Sequence, residues 1–242
     1  MTTVFVHGSP ETTTVWDPLR AALDRDSTAL ALPGFGCPRP DGFGATMQEY
    51  EAWLAAELEA LDEPVDLVGH DWGGILTARL ATTRDDLFRS WASDAAPAVE
   101  PTFTWHDLAL LWQTPGGGEA FWAGLLADRE EAAGLLAAVG VPAEHAPAMA
   151  AAVDQTMVDC ILDLYRSATT LGADWGHEGH AAPNGLVLAG DADALGNVDT
   201  SRATATALGA ELAVIEGGGH WWPLDSPEAG ARTFEAFWSG LT

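Results

Sequence analysis

The sequence predicts an α/β fold, in which a mainly parallel sheet is flanked by helices and carries an inserted helical segment. Short apolar runs of strand length alternate along the chain with stretches of helical periodicity. Such alternation is typical of parallel strands joined by helices on both faces of a sheet. It is interrupted once, between residues 98 and 182, and the length of 242 residues fits a single unit of this class.

Six strands and five helices of the core follow from this pattern. Each predicted strand is a short run rich in Val, Leu, Ile or Phe that ends in turn-forming residues, near residues 3–6, 27–32, 65–69, 87–93, 185–189 and 212–215. Each predicted helix is a longer stretch between two strands, near residues 16–25, 46–61, 74–83, 200–208 and 228–239. The predicted core therefore comprises residues 1–97 and 183–242.

Residues 98–182 are predicted to form a helical cap between the fourth and fifth strands. They are rich in Ala and Leu and contain almost nothing that resembles a strand. Helix-breaking residues divide them into several helices, at Pro101, Pro115-Gly116-Gly117-Gly118, Gly140-Val141-Pro142 and Pro147.

The first strand ends in a tight loop, His7-Gly8-Ser9-Pro10. A loop at this position can aim a backbone N–H at an oxygen that becomes charged when an ester is hydrolysed. The N–H of Ser9 is therefore a candidate donor of an oxyanion hole. The alternative is an ordinary turn in which His7 has a structural role.

The third strand leads into Gly69-His70-Asp71-Trp72-Gly73, which has the form of a nucleophile elbow. Glycines on either side of the central residue let backbones pass closely where a strand turns sharply into a helix. The central residue is Asp71, and a carboxylate suits displacement at saturated carbon, which leaves an alkyl ester on the enzyme. The N–H of Trp72 would be the second oxyanion donor. Alone, an Asp in such a turn is more often a turn former or helix cap.

Two later loops supply the partners that catalysis at the elbow requires, in the order nucleophile, acid, histidine. The fifth strand runs into Gly190-Asp191-Ala192-Asp193, and Asp193 is the candidate that orients the catalytic imidazole. Asp191 and Asp94, at the end of the fourth strand, are the competing carboxylates. After the last strand, Gly217-Gly218-Gly219-His220 forms a flexible loop that can place His220 over the elbow, where it would deprotonate water.

Together these motifs resemble the α/β-hydrolase superfamily, and within it the epoxide hydrolases and haloalkane dehalogenases that use an aspartate nucleophile. The resemblance runs through the whole chain and is most specific at His70-Asp71-Trp72-Gly73-Gly74. It implies an α/β-hydrolase fold with a cap and a reaction through an ester on Asp71. Neither a metal nor an organic cofactor is expected, and His177-Glu178-Gly179-His180 lacks the spacing of a helical zinc motif.

An epoxide hydrolase is the function expected from this resemblance. Opening an epoxide needs a donor to the departing oxygen, and the resemblance implies two cap tyrosines for that task. Tyr165 is similar to the second of them, whereas Leu108 stands in the place of the first. His106, half a turn away, is a candidate replacement. The expected pocket residues are Trp105, His106, Leu108, Trp112 and Trp221.

Three alternatives remain open. A haloalkane dehalogenase would hold the halide with indole N–H groups, from Trp72 and from Trp105 or Trp112. A cyclase-like or lyase-like member of the fold would use Asp71 as a base. A catalytically silent ligand-binding relative is the third, and the intact set of Asp71, Asp193 and His220 argues against it.

Composition limits the partners. Ten basic and 36 acidic residues give a formal net charge of −26, and every basic residue is Arg. Such a surface repels nucleic acid and anionic membranes, so a small neutral organic substrate is expected. Cys37 and Cys160 form neither a metal pattern nor a disulfide framework. Because the start lacks a signal-like segment and no stretch of about 20 apolar residues occurs, a cytoplasmic location is expected.

Overall fold

The computed structural model describes residues 2–61 and 63–241 of the chain. Those residues contain six strands: β1 Thr3–Val6, β2 Ser27–Leu30, β3 Val65–Gly69, β4 Phe88–Ser93, β5 Gly185–Gly190 and β6 Glu211–Ile215. They form one parallel sheet in the order β2-β1-β3-β4-β5-β6. The predicted α/β fold is therefore confirmed.

Helices lie between and after these strands. They are α1 Asp17–Ala22, α2 Met47–Glu59, α3 Trp72–Thr83, α4 Asp107–Gln113, α5 Gly117–Ala127, α6 Arg129–Ala138, α7 Ala146–Ala152, α8 Gln155–Ser167, α9 Leu171–Trp175, α10 Val198–Leu208, α11 Trp222–Asp225 and α12 Pro227–Gly240. Six of them, α4 to α9, lie between β4 and β5, where every residue is described and no strand occurs. No helix of the described residues is long and apolar enough to cross a membrane.

Apolar cores cover both faces of the sheet. Buried residues of α2, α3 and α10 pack on one face together with the helices between β4 and β5. Leu19 of α1 and Phe234 of α12 belong to a second buried cluster, on the other face. This two-sided burial explains why β1 and β5 are short continuous apolar runs rather than alternating ones.

Most element boundaries differ from those predicted by one to three residues, and two of the differences have a clear structural reason. The strand predicted at residues 27–32 ends at Leu30. It lies at the edge of the sheet and pairs only with β1, and the last residue of β1, Val6, lies opposite Leu30. The helix predicted at 16–25 ends at Ala22, since Leu23 is already extended. Helix α11, which directly follows the histidine loop, was not predicted.

The architecture brings the candidate site residues to one edge of the sheet. In parallel strands the carboxyl ends lie at the same edge, which is where ligands bind in α/β sheets. The loops after β1, β3, β4, β5 and β6 carry Ser9, Asp71, Asp94, Asp193 and His220 respectively. Helix α8 adds Tyr165 from outside the sheet, on the buried face of an amphipathic helix whose start is capped by Asp154.

Candidate active site

Asp71 occupies the tip of a sharp turn from β3 into α3. Its backbone has φ 50° and ψ −120°, a region that non-glycine residues rarely adopt and that often marks a functional site. The turn depends on two glycines. A Cβ on Gly69 would overlap the carbonyl oxygen of Gly73, and a Cβ on Gly73 would overlap the carbonyl oxygen of Val6.

The two oxygens of the Asp71 carboxylate have different surroundings. Oδ1 accepts a hydrogen bond from the backbone N–H of Ser9 at 2.7 Å, and Oδ2 lies 3.9 Å from Nε2 of His220. The N–H of Trp72, the first residue of α3, has no acceptor within the helix. Burial raises the pKa of Asp71, and the charges of His220 and His70 oppose that rise only in part.

His220 is bound on its other side by Asp193. Its Nδ1 lies 3.2 Å from Oδ2 of Asp193, an arrangement that leaves Nε2 directed at Asp71. Burial alone would lower the pKa of His220, but the hydrogen bond and charge of Asp193 and the charge of Asp71 outweigh it and raise this pKa. The imidazole is therefore suited to accept a proton.

The two competing carboxylates have other partners. Asp191 accepts the backbone N–H of Gly217 at 2.6 Å and so stabilises the glycine loop. Asp94 lies 2.5 Å from Nδ1 of His70. Sequence order alone had left all three acids possible, and the geometry pairs His220 with Asp193.

A buried ionic network lies beneath the elbow. Nε2 of His70 is 2.9 Å from Oε1 of Glu11, so this imidazole contacts a carboxylate on each side. Burial alone would lower the pKa of His70, but Glu11 and Asp94 raise it well above its ordinary value. Asp94 also accepts the N–H of Asp71 at 3.0 Å and the indole N–H of Trp222 at 2.6 Å. A charged His70 thus supports the backbone of Asp71 through Asp94.

Tyr165 faces Asp71 from α8. Its hydroxyl lies close to Ser9 and to the indole of Trp72, and its pKa is raised well above the ordinary value by burial and by the charge of Asp71. The hydroxyl therefore keeps its proton. Neither the hydroxyl of Ser9 nor the indole N–H of Trp72 makes a well-aligned hydrogen bond among the described residues.

His106 and Leu108 lie where the first cap donor was expected. Nδ1 of His106 accepts the backbone N–H of Ala109 at 3.3 Å, which leaves Nε2 as the nitrogen that carries the proton in the neutral ring. Burial and the charge of His220 lower the pKa of His106. Leu108 lines the same cavity and offers no polar atom.

Two cavities meet at Asp71. The first, about 610 Å³, is largely apolar and includes Ser9, Leu108, Tyr165, Trp112 and Trp221 in its wall. The second, about 860 Å³, is more polar and includes Trp105, Asp94 and Asp193. Their walls share four residues, which are Asp71, His106, Leu195 and His220.

The structure corrects one sequence-based suggestion and adds residues that it missed. Trp105 is not free to bind a halide, because its indole N–H donates to the carbonyl oxygen of Ala168 at 2.7 Å. Glu11 and His70 were not predicted as a buried pair, although a Glu directly after the loop at residues 7–10 was a visible signal. The cavity wall formed by α5 and α6 was also missed. Its only signal in the sequence is that apolar residues recur three and four positions apart within an Ala-rich segment.

Comparison with known proteins identifies the family. The model of the alpha/beta hydrolase family matches residues 3–233, so the chain belongs to that family. No curated protein sequence matches the chain.

Solved structures share the fold at low sequence identity. A haloalkane dehalogenase loop variant from Bradyrhizobium elkanii is 22% identical, with 99% of this chain and 89% of that chain covered and a TM-score of 0.78. An epoxide hydrolase from Vigna radiata is 20% identical, with 98% and 91% covered and a TM-score of 0.79. A 2-hydroxy-6-oxo-6-phenylhexa-2,4-dienoate hydrolase from a Rhodococcus strain is 20% identical, with 99% and 90% covered and a TM-score of 0.79. Since these names differ, the shared fold does not decide the reaction.

Proposed function

We propose that this protein is an epoxide hydrolase that acts through an alkyl ester on Asp71. The observation that carries the proposal is the position of a carboxylate, rather than a hydroxyl, at the elbow. One of its oxygens is held by the N–H of Ser9, and the other lies free between His220 and the cavity. A carboxylate so placed is suited to attack saturated carbon.

In the first half-reaction, Oδ2 of Asp71 forms a bond to an epoxide carbon while the carbon–oxygen bond of the ring breaks. The departing oxygen receives the proton of the Tyr165 hydroxyl, and Nε2–H of His106 donates a second hydrogen bond in place of the absent tyrosine at Leu108. The charge of Asp71 contributes to the raised pKa of Tyr165. Ester formation removes that charge, so Tyr165 becomes a better acid as negative oxygen develops.

In the second half-reaction, Nε2 of His220 removes a proton from water, and the hydroxide attacks the carbonyl carbon of the ester. The charge on Oδ1 is stabilised by the N–H groups of Ser9 and Trp72. Collapse breaks the bond between Cγ of Asp71 and Oδ2, so Oδ2 leaves on the substrate carbon and takes the proton of the newly added oxygen. The product is a diol, and the Asp71 carboxylate now carries one oxygen from water. The proton on His220 returns through water to Tyr165.

Haloalkane dehalogenation is the second candidate. The observation that favours it is that the indole N–H groups of Trp72 and Trp112 have no well-aligned acceptor among the described residues. Against it, Trp105 is already bonded to Ala168, and a tyrosine hydroxyl beside the nucleophile has a clear task only when oxygen leaves.

Intact-protein mass spectrometry of the variant His220→Gln tests the proposal. Exposure to styrene oxide should add the mass of one epoxide to Asp71, because alkylation does not need His220 whereas hydrolysis does. The matched control is the double variant Asp71→Ala with His220→Gln, which should remain unmodified. The wild type should form the diol in the same assay.

Other outcomes are equally decisive. An adduct from bromohexane with halide release, together with no reaction of styrene oxide, would move the assignment to the dehalogenase. Turnover without any adduct would favour the cyclase-like or lyase-like alternative, in which Asp71 is a base.

A further inference from the structure

We propose that Arg129 anchors a carboxylate at the apolar cavity, so that this cavity takes an alkyl or arylalkyl carboxylate. As a statement about the substrate, this rests on the proposed function, which supplies the epoxide at the other end of the molecule. As a statement about binding, it rests on Arg129 and the cavity wall alone. It replaces the neutral substrate that net charge had indicated.

Arg129 differs from most arginines of the chain in its partners. Seven of the ten arginines pair with a carboxylate within 4.0 Å, namely Arg20, Arg25, Arg39, Arg79, Arg84, Arg89 and Arg166. Arg129 instead donates Nη1 to the backbone carbonyl of Ala150 at 2.8 Å. Over residues 2–61 and 63–241 its side chain has no carboxylate partner. Its remaining N–H groups are therefore available to a ligand.

Arg129 is the only Arg in the walls of the two cavities over the described residues. The wall that it shares with Asp71 is otherwise mostly apolar, with Trp112, Phe121, Trp122, Leu125 and Leu136. An apolar chain would bury surface against these residues. A guanidinium matches a carboxylate with two parallel hydrogen bonds. The ligand that satisfies both features has an apolar body and an anionic end.

Acidic neighbours of Arg129 in sequence do not form part of this wall. Along α6 and the residue that ends it, the wall residues are Arg129, Ala132, Leu135, Leu136, Ala138 and Val139, which largely follow the spacing of one helix face. Arg129, Glu130 and Glu131 are all exposed, but only Arg129 of the three belongs to the wall. The carboxylate of Asp128 accepts the N–H groups of those two residues at 3.0 Å each. A carboxylate at Arg129 therefore meets the one Arg of a wall whose carboxylates, over the described residues, are those of Asp71 and Asp107.

Binding of an unreactive pair of ligands tests the anchor without any turnover. The pair is phenylbutanoate and its methyl ester, and the readout is tryptophan fluorescence, because Trp112, Trp122 and Trp221 line the cavity. Arg129→Gln should weaken phenylbutanoate binding by about tenfold and leave the ester unchanged. Arg129→Lys should keep part of the preference because it keeps the charge. The matched control is Arg232→Gln, on α12 and outside both cavity walls, which should change neither affinity.

The anchor is refuted if Arg129→Gln weakens the acid and the ester equally, or if it weakens neither. Failure of the wild type to bind the acid would also refute it. A second arm compares epoxyundecanoate with its methyl ester, for which Arg129→Gln should lower kcat/KM by about tenfold for the acid only. If the binding result holds and neither epoxide opens, the anchor stands and the proposed reaction is wrong.

Discussion

Replacing Glu11 by Gln tests whether the ionic network beneath the elbow stabilises the fold. Glu11 is 1% exposed. Its carboxylate contacts His70 and accepts the backbone N–H of Gly8 at 3.0 Å. Burial alone would raise its pKa, but the charge and hydrogen bond of His70 and the bond from Gly8 lower it from 4.5 to about 2. Because the group is fully buried, solvent screening does not reduce this effect.

The magnitude follows from the linkage between pKa and stability. A carboxyl whose pKa is lower in the folded state stabilises that state above its unfolded pKa, and the stabilisation is lost as pH falls through the folded value. A difference of about 2.5 pH units corresponds to about 3 kcal/mol at pH 7. At pH 3.5 the same relation leaves about 2 kcal/mol.

Urea unfolding followed by tryptophan fluorescence measures this free energy. We expect Glu11→Gln to lower the free energy of unfolding by about 3 kcal/mol at pH 7 and by less at pH 3.5. The control is Glu51→Gln, which removes a partly exposed ion pair with Arg79 of 2.9 Å and should cost no more than about 1 kcal/mol. A loss for Glu11→Gln that is the same at both pH values, or as small as that of the control, would refute the reasoning.

Three further predictions concern the elbow and its partners. Tyr165→Phe should slow ester formation from styrene oxide by at least about tenfold in stopped-flow fluorescence, with binding unchanged, and an unchanged rate would remove Tyr165 from the mechanism. Asp193→Asn should lower the pH at which the rate of ester hydrolysis begins to fall on the acidic side, because Asp193 raises the pKa of His220. It should also reduce the maximal rate of hydrolysis. An unchanged pH dependence would show that a group other than His220 controls it. Gly73→Ala should lower the free energy of unfolding by about 1–3 kcal/mol, since its Cβ would overlap the carbonyl oxygen of Val6. Gly124→Ala, in α5 with open space around its Cβ, is the control, and an equal loss in both variants would contradict the steric account.

Much of the fold could be predicted from local sequence. Strands such as β1 and β5 are short, apolar and buried, so burial on both faces of a parallel sheet leaves a local signal. The elbow is also local, because Gly69 and Gly73 are required within a few residues of Asp71 by the same turn. Boundaries such as the end of β2 depend on the partner strand, and a single segment does not carry that information.

The order of Asp71, Asp193 and His220 along the chain was visible in the sequence, and their roles stay predictions. The sequence favoured Asp193 and kept Asp94 and Asp191 as competitors, because each follows the end of a strand and only spatial position separates them. The tertiary structure separates these carboxylates. Strand β5 lies between β4 and β6, so Asp193 contacts His220, whereas Asp94 contacts His70.

The shape of the cavity was likewise decided only by the tertiary structure. Local sequence indicated helices between β4 and β5, but helix packing determines which of their faces lines the cavity at Asp71. Arg129 and Asp71 are 58 positions apart in the chain, and both lie in the wall of one cavity. The sequence by itself determined which chemical groups the protein has at its elbow, because the turn needs particular residues at fixed spacing. Long-range packing decided which side chains surround those groups. The hydrophobic effect stabilises contact between apolar surfaces wherever they lie in the chain, so this outcome leaves no local signal in the sequence.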